Sequence, residues 1–459
     1  SDNVAYRLVA LGRKKDTQVD GVEEERYVIA PSIDWYVSDK TFINFNLYYQ
    51  NDPALGQNVT LPLAVIESGK ISPSTFAGDV NYNTIERDFL ITGYKFNHDF
   101  NSNWAFLQNF RYMQADFYQE STSSGNFDAS TGELERSAYS TDESSKGISV
   151  DNQLSGLVST GSLDHYLLFG LDYRNIEGDV AYDAFAGVDG INLYNPNNDK
   201  LNPDDFTKVY YQNDDIEMSQ LGLYFQDQML IDNWVFIAGG RFDKVETTTK
   251  VSVFGGTPSK TKTDDTNFSY RLGALYKFDN GLSPFANFAT SFEPSAKLDA
   301  SGNNLDPETG EQVEFGLKYD SYENMLSGSM ALFQVKKKNV GVRPDGASPW
   351  TAVGEIRSQG IELEGRAQVT DNLDLLANYT YTDMEITEDK DASNIGQTPV
   401  FVPDHTANVW ANYFVRDGVM NGLRVGGGVR YVGETVLNDA SDKNKGTVPS
   451  YTLVDLSLG

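Results

Sequence analysis

The sequence predicts an all-β chain forming a transmembrane antiparallel β-barrel of the outer-membrane type. Three observations predict it. Apolar and polar residues alternate strictly over long stretches. The connections between those stretches are by turns short and long. No run of 18 apolar residues exists, so no helix is available to span a bilayer.

The alternation is explicit in the residues. Tyr27, Ile29, Ile33, Trp35 and Val37 oppose Arg26, Ser32 and Asp34. Ile43, Phe45, Leu47 and Tyr49 oppose Asn44, Asn46, Tyr48 and Gln50. Ile361, Leu363, Gly365 and Ala367 oppose Glu362, Glu364, Arg366 and Gln368. Leu423, Val425, Gly427 and Val429 oppose Arg424 and Arg430. Period two over eight to ten residues makes a strand with one apolar and one polar face. About 18 such segments begin near residues 4, 25, 41, 87, 104, 147, 163, 217, 234, 267, 283, 312, 325, 359, 373, 405, 423 and 450.

Short links join them at Ser38 to Lys40, Asn101 to Asn103, Thr160 to Ser162, Asp232-Asn233, Asp279 to Gly281, Asp320 to Asn324, Thr370 to Asn372 and Arg416 to Gly422. Long polar stretches lie between: 13–24, 51–83, 120–146, 179–215, 244–266, 293–311, 336–357, 385–403 and 433–449. A soluble sandwich has no reason to gather its long loops at one end. An outer-membrane barrel does, with short periplasmic turns and long extracellular loops. Strands of roughly 9–11 tilted residues cross the hydrocarbon layer, and longer ones project beyond it. A large soluble β protein is the competing fold, but no blade-like repeat of 40–50 residues supports it.

Composition agrees. The 459 residues are 39% hydrophobic and 12% aromatic, as expected where the apolar face meets lipid and aromatics form interfacial girdles. High aromatic content and 15 Pro argue against disorder. With 36 basic and 66 acidic residues the net charge is −30, which repels nucleic acid. The absence of Cys excludes disulfides and thiolate zinc sites, and three isolated His (His98, His165, His405) do not replace them. The chain opens without a basic segment followed by an apolar one, so a signal peptide is expected to have been removed or to lie outside it.

Motifs for catalysis are absent: no G-x-S-x-G, H-E-x-x-H, Walker loop or G-x-G-x-x-G occurs, so the reading is not an enzyme, with no catalytic residue, metal site or cofactor. Gly426-Gly427-Gly428 lies within a strand, where it suits close backbone approach. Glu362 and Glu364 share one strand face and read as a charged lumen wall. His165 falls on an apolar face and reads as interfacial. The Asn- and Asp-rich stretch 187–205 lacks calcium-loop spacing and reads as a solvated loop. Lys336-Lys337-Lys338 reads by default as a solvated run, with lipopolysaccharide phosphates as the alternative contact. Aromatics of the long connections are candidate contacts: Phe117 and Tyr118 at a strand end, Tyr182, Phe185 and Tyr194 in 179–215, and Trp350 in 336–357.

Several segments then match one family. AYRLVALGRKKD and EEERYVIAPSIDWYVSDKTFINFNLYYQNDP open the chain, followed by QLGLYFQDQMLIDNWVFIAGGRFD, SPFANFATSFEP, LDPETGEQVEFGLKYD, RSQGIELEGRAQ and VPDHTANVWANY. In this order they resemble the TonB-dependent siderophore receptors, in the ferric hydroxamate (ferrichrome and ferrioxamine) branch. The resemblance implies a barrel of 22 strands, of which about 18 are here. Residues 1–459 are then an incomplete barrel domain, lacking the N-terminal plug and the last C-terminal strands, and residues 4–12 are expected to pair with a strand outside the chain. The resemblance also implies an outer-membrane receptor and active transporter for ferric siderophores, energised through TonB by way of the plug, with iron carried inside the chelator.

Siderophore-binding candidates by position are Tyr48, Gln50, Phe117, Tyr118, Tyr182, Phe185 and Trp350. The segment GQNVTLP at 56–62 offers Asn58 and Thr60 where relatives carry aromatics. Plug-facing candidates are Arg271, Glu362, Glu364, Arg366, Arg424 and Arg430. The expected partners are a ferric hydroxamate-type siderophore, TonB, outer-membrane lipid and lipopolysaccharide, and a phage or bacteriocin, with no nucleic acid and a monomeric state. The alternatives are a passive 18-stranded porin and a surface receptor or adhesin.

Overall fold

A computed structural model describes residues 3–56, 58–321, 325–342, 350–437 and 446–459. In chain order the strands begin with β1 (Val4–Asp16), β2 (Glu23–Ser38), β3 (Thr41–Leu55), β4 (Thr84–Asp99), β5 (Trp104–Asp128) and β6 (Glu133–Thr160). Next come β7 (Leu163–Ala186), β8 (Ile191–Asn192), β9 (Thr207–Ile231), β10 (Trp234–Val253), β11 (Ser259–Tyr276), β12 (Leu282–Glu293) and β13 (Glu308–Asp320). The chain closes with β14 (Leu326–Val342), β15 (Thr351–Thr370), β16 (Leu373–Glu388), β17 (His405–Phe414), β18 (Arg424–Val432), β19 (Thr435–Val436), β20 (Thr447–Val448) and β21 (Tyr451–Leu458). Eighteen of these have eight or more residues, the number that the periodicity predicts; β8, β19 and β20 are two-residue pairings. Among the described residues the longest helix, α1 (Leu63–Glu67), has five residues, and none is long and apolar enough to cross a membrane.

The residues group into two compact units, one of residues 1–155, 170–223 and 243–265, the other of 156–169, 224–242 and 266–459. In the first, β1 to β5 form an antiparallel meander, each strand bonded to the next. In the second, β11 to β18 do the same and β21 follows on β18. Every connection within these runs joins sequence neighbours, which is what tight turns and local pairing produce.

Strand ends beside the short links fall where alternation places them, as at Thr41, Trp104, Leu163, Trp234 and Leu373. Strand ends beside the long stretches do not. The expected loop 120–146 is strand up to Asp128 and again from Glu133, leaving only residues 129–132 as a turn. The stretches 13–24, 179–215 and 244–266 shrink to 17–22, 187–206 (which holds the two-residue β8) and 254–258. Residues 322–324 of one short link, Gln57, and residues 343–349 and 438–445 of two long ones lie outside the described residues. The ladders continue where alternation fades, because beyond the lipid both faces meet water and neither must be apolar.

Register defines the faces. Ile43, Phe45 and Tyr49 of β3 pair with Phe96, Tyr94 and Leu90 of β4 on one face, and Asn44, Gln50 and Asp52 pair with Lys95, Phe89 and Arg87 on the other. In the second unit Leu332 opposes Phe315 and Ile361, while Ala331 opposes Gly316 and Glu362. Exposed large apolar side chains, among them Phe45, Phe315, Leu332 and Val409, belong to the first kind of face. A sheet that presents its apolar face outward inverts the soluble arrangement and suits lipid.

Close backbone approach explains the glycine run. A Cβ on Gly426 or Gly428 would collide with the Trp410 ring, which lies against both on the polar face and donates Nε1–H to Asn412 Oδ1 at 2.9 Å. Gly281, at φ 87°, closes the turn before β12, where a Cβ would meet the Asp320 carbonyl.

The buried apolar cluster of the first unit gathers its connecting segments against the ends of β5 and β6 and the short β8. Val19, Val22, Val59, Val65, Phe76, Ala77, Leu134, Ile191 and Leu193 pack together, with Leu61, Ile71 and Phe127 against them. Asp79 fastens this cluster by accepting from the backbone N–H groups of Lys200 and Leu201 at 3.0 and 3.1 Å. Asn198 donates to the carbonyls of Phe76 and Gly78, and buried Arg136 donates to those of Asp189 and Gly78. Stretch 187–205, expected as a solvated loop, is thus tied down by side chain to backbone bonds.

Candidate functional site

The site is built on the outer ends of β2 to β5 in the first unit. Counting roughly ten residues from the short turns places Arg26, Asp52, Arg87 and Phe117 at or beyond the outer edge of the spanning stretch. Asp52 is 0% exposed. Arg26 Nε donates to its Oδ1 at 2.6 Å, and Arg87 Nη2 and Gln50 Nε2 donate to its Oδ2 at 2.8 and 2.7 Å. Burial pushes the Asp52 carboxyl up, the donors from Arg26, Arg87 and Gln50 push it down, and the donors prevail, holding it below the usual carboxylate range. Tyr48 donates its hydroxyl to Gln50 Oε1, extending the chain of hydrogen bonds along β3.

Phe117 stands opposite Arg87 on the same face. Two residues on, Gln119 donates to Asn58 Oδ1 and to the Tyr139 hydroxyl at 3.1 Å. Asn58 donates to the carbonyls of Thr84 and Glu120, which pins its segment across the ends of β4 and β5. Tyr139 stacks on Tyr182 at 6.0 Å between centroids, and Tyr182 meets Tyr210 edge-on at 6.3 Å. Tyr210 donates to Gln212, which donates to Asp214. A continuous belt results: amides, tyrosine hydroxyls and aromatic faces, with one carboxylate locked between two guanidiniums.

The structure sorts the candidates. Tyr48, Gln50, Phe117 and Tyr182 belong to this belt. Phe117 and Tyr118 do not end a strand, since β5 continues to Asp128. Adjacent strand residues point to opposite faces. Tyr118 therefore lies away from Phe117, opposite Glu86, and donates to Glu120 at 2.8 Å. Tyr182 and Phe185 belong to β7 and not to a loop. Phe185 packs on Tyr82 and Phe206, where burial pushes the Tyr82 hydroxyl up to about 12. Tyr194 covers Gly132 and donates to the Ala129 carbonyl, a turn-closing role.

Trp350 is in the second unit, with Lys297 Nζ 5.0 Å above its ring. Lys297 and Lys337 both pair with Glu308, at 2.9 and 2.6 Å. Glu308, the first residue of β13, lies beyond the spanning stretch. Burial raises its carboxyl, the bonds from Lys337 and Lys297 lower it, and it settles at about 2.

The charged candidates Glu362, Glu364 and Arg366 share the polar face of β15 with one another, opposite Ala331, Ser329 and Ser327. Arg271 pairs in register with Ala289, beside Leu272 and Phe288 of the apolar face. Arg424 and Arg430 share the face of Gly426 and Gly428; Arg430 is 4.0 Å from Asp455. His165, on the apolar face, is bonded to Asp227 at 2.7 Å and Thr160 at 2.9 Å.

Sequence reasoning missed Arg26, Asp52, Arg87, Gln119, Tyr139 and Tyr210. The first three carry a readable signal: charges at the outer ends of three consecutive strands, on the polar parity.

The family described as TonB dependent receptor-like, beta-barrel matches residues 31–459. The Ferrioxamine B receptor of Salmonella typhimurium (strain SL1344) is 33% identical over 467 aligned residues, covering 100% of this chain and 64% of that protein. The Ferrichrome outer membrane transporter/phage receptor of Escherichia coli (strain K12) is 34% identical over 98% of this chain and 63% of its own length. The chain thus spans a little under two thirds of the length of these relatives. The crystal structure of the siderophore receptor PiuA from Acinetobacter baumannii superposes with a TM-score of 0.85 at 22% identity, covering 99% of this chain and 70% of that one. Alternating strands with an outward apolar face, a family match along nearly the whole chain and relatives aligned from end to end converge: the chain belongs to the TonB-dependent receptor family and has its outer-membrane β-barrel fold.

Proposed function

We propose that this chain is the barrel of a receptor that carries ferric siderophores of the hydroxamate type across the outer membrane, energised through TonB. The observation that supports it most is the belt of Tyr48, Gln50, Phe117, Gln119, Tyr139, Tyr182 and Tyr210. A ferric chelate is rigid, partly apolar and rimmed by carbonyl oxygens. Aromatic faces give it contact area at low entropic cost, and amide and hydroxyl donors orient it. Its iron arrives inside the chelator, so no resident cofactor is proposed. Relatives named for ferrioxamine and ferrichrome support the same class of cargo.

The charged polar face supports the second half of the reading. Glu362, Glu364, Arg366 and Arg424 lie on the polar faces of β15 and β18, opposite the apolar faces that suit lipid. We assign them to docking a plug, which TonB would move to release the cargo. The Escherichia coli relative is named a phage receptor as well as a transporter, which supports a phage as a second outer partner.

Titrating the full-length receptor with ferric hydroxamates tests the site. Tyr182→Ala removes a ring stacked on Tyr139 and met edge-on by Tyr210, and the expected loss is on the order of tenfold in affinity, or about 1.4 kcal/mol. Unchanged affinity for every hydroxamate tested would remove the belt from the binding site.

A further inference from the structure

One pentapeptide occurs twice. Tyr-Tyr-Gln-Asn-Asp spans 48–52 on β3 and 210–214 on β9. In a strand its first, third and fifth residues share a face, successive ones roughly 7 Å apart, so that each side chain reaches the next. Both copies make the same run of hydrogen bonds on the polar face. Tyr48 donates to Gln50 Oε1, and Gln50 Nε2 donates to Asp52 Oδ2 at 2.7 Å. Tyr210 donates to Gln212 Oε1 at 3.0 Å, and Gln212 Nε2 donates to the two Asp214 oxygens at 3.0 and 2.8 Å. Tyr112, Gln114 and Asp116 of β5 repeat the run on the other face, so the spacing alone builds it.

The direction of each run is forced. An ionised carboxylate only accepts. Gln50 therefore turns its NH2 to Asp52 and its oxygen to Tyr48, whose hydrogen is spent on the wall. Arg26 and Arg87 each spend two N–H bonds on Asp52. Among the described residues no donor reaches the hydroxyl oxygen of Tyr48 or Tyr210.

Gln119 is fixed by the same logic. Asn58 gives its NH2 hydrogens to the carbonyls of Thr84 and Glu120, so its oxygen takes a hydrogen from Gln119 Nε2. The second hydrogen of Gln119 goes to the Tyr139 hydroxyl oxygen at 3.1 Å. Gln119 Oε1 is left to accept, and Tyr139 keeps its own hydrogen to donate.

The belt thus turns three acceptors (Tyr48, Gln119 and Tyr210) and one hydroxyl donor (Tyr139) toward cargo. A tyrosine free to rotate serves donors and acceptors alike, whereas one whose hydrogen is taken serves donors only. A chelate lacking N–H groups would cover these oxygens and leave them unpaired, the steeper kind of discrimination. We propose that the belt selects, among ferric hydroxamates, those that present peripheral amide N–H groups to Tyr48, Gln119 and Tyr210. Gln50 and Gln212 are positioning residues that keep the two tyrosine oxygens turned to cargo. The proposal rests on the hydroxamate reading and narrows it.

The test titrates the folded full-length receptor in detergent with two uncharged ferric chelates: a cyclic trihydroxamate with amide N–H groups, and the same ring with every amide nitrogen methylated. The N–H chelate is expected to bind at least tenfold more tightly. Tyr48→Phe with Tyr210→Phe keeps both rings and should cut that ratio at least threefold by weakening the N–H chelate alone. Gln212→Leu frees the Tyr210 hydrogen and should also cut the ratio. Gln212→Glu, whose carboxylate still takes that hydrogen, should preserve it. A purely structural role would weaken both chelates together, and an unchanged ratio in the Phe and Leu variants overturns the proposal. Each Phe variant is measured singly as well, so the ratio stays readable if the double variant misfolds. Equal affinity of the unaltered receptor for the two chelates overturns the proposal while leaving the hydroxamate reading intact. Binding of neither chelate would overturn that reading, and the proposal with it.

Discussion

Asp52→Ala is expected to destabilise the outer ends of β2, β3 and β4 by about 3 kcal/mol, the scale for removing one partner of a buried ion pair. Arg26 and Arg87 would be left facing each other with no anion between them, and Gln50 would lose its acceptor. Tyr48 and Phe117 stand on these strands, so cargo affinity should fall with stability. Asp52→Asn keeps the volume but not the charge and should show most of the loss. The pH dependence has a definite sign. A carboxyl whose folded pKa is depressed stabilises the fold above its unfolded value, near 3.9, and that stability is lost as pH falls through the folded value. The wild-type advantage over Asp52→Asn should therefore be full at pH 6 and shrink below about pH 4. A denaturant series with hydrogen exchange read at residues 48–55 and 84–90 checks it. Equal protection in both proteins at pH 6 would show that the carboxylate is not what fastens these strands.

Leu134→Ala is expected to cost about 3 kcal/mol in the buried cluster where the connecting segments pack on the start of β6, within the range for emptying a leucine site. Leu134 is 0% exposed and touches a cluster drawn from five separate stretches. The cost should stay local, because the strands are held by their own ladders. Limited proteolysis should cut residues 187–206 and 56–83 much faster in the variant, while the heat-resistant electrophoretic mobility of the folded barrel persists. Loss of both together would mean that this cluster and the strands fold as one cooperative unit.

Much of the fold was legible because lipid imposes a rule the sequence must obey. One face of each spanning stretch is apolar, so alternation located all 18 long strands, and the ends beside short links were found almost to the residue. The rule lapses above the membrane. Glu133 to Asp142 reads as a polar loop, and it is strand, because water on both sides removes the demand for an apolar face. The apolar cluster of Val19, Val65, Phe76 and Leu193 was hidden for another reason. Its members are scattered over distant connections and have no period.

The site was half legible for related reasons. Tyr48, Gln50, Phe117 and Tyr182 could be picked as large or polar residues near strand ends. The face on which each stood needed register, and register separated Phe117 from Tyr118. The lysine run shows the same logic: three like charges read as one solvated patch until the strand sends Lys337 to Glu308, and Lys336 and Lys338 to Glu355.

On the proposed transport reading, cargo crosses the outer membrane only when energy is supplied through TonB. Accumulation of a radiolabelled ferric hydroxamate should be measured in cells carrying the full-length receptor, with TonB present and with TonB removed. The account expects saturable accumulation against a gradient with TonB and surface binding alone without it. Entry at the same rate in both, rising linearly with external concentration, would describe an open pore and contradict the account.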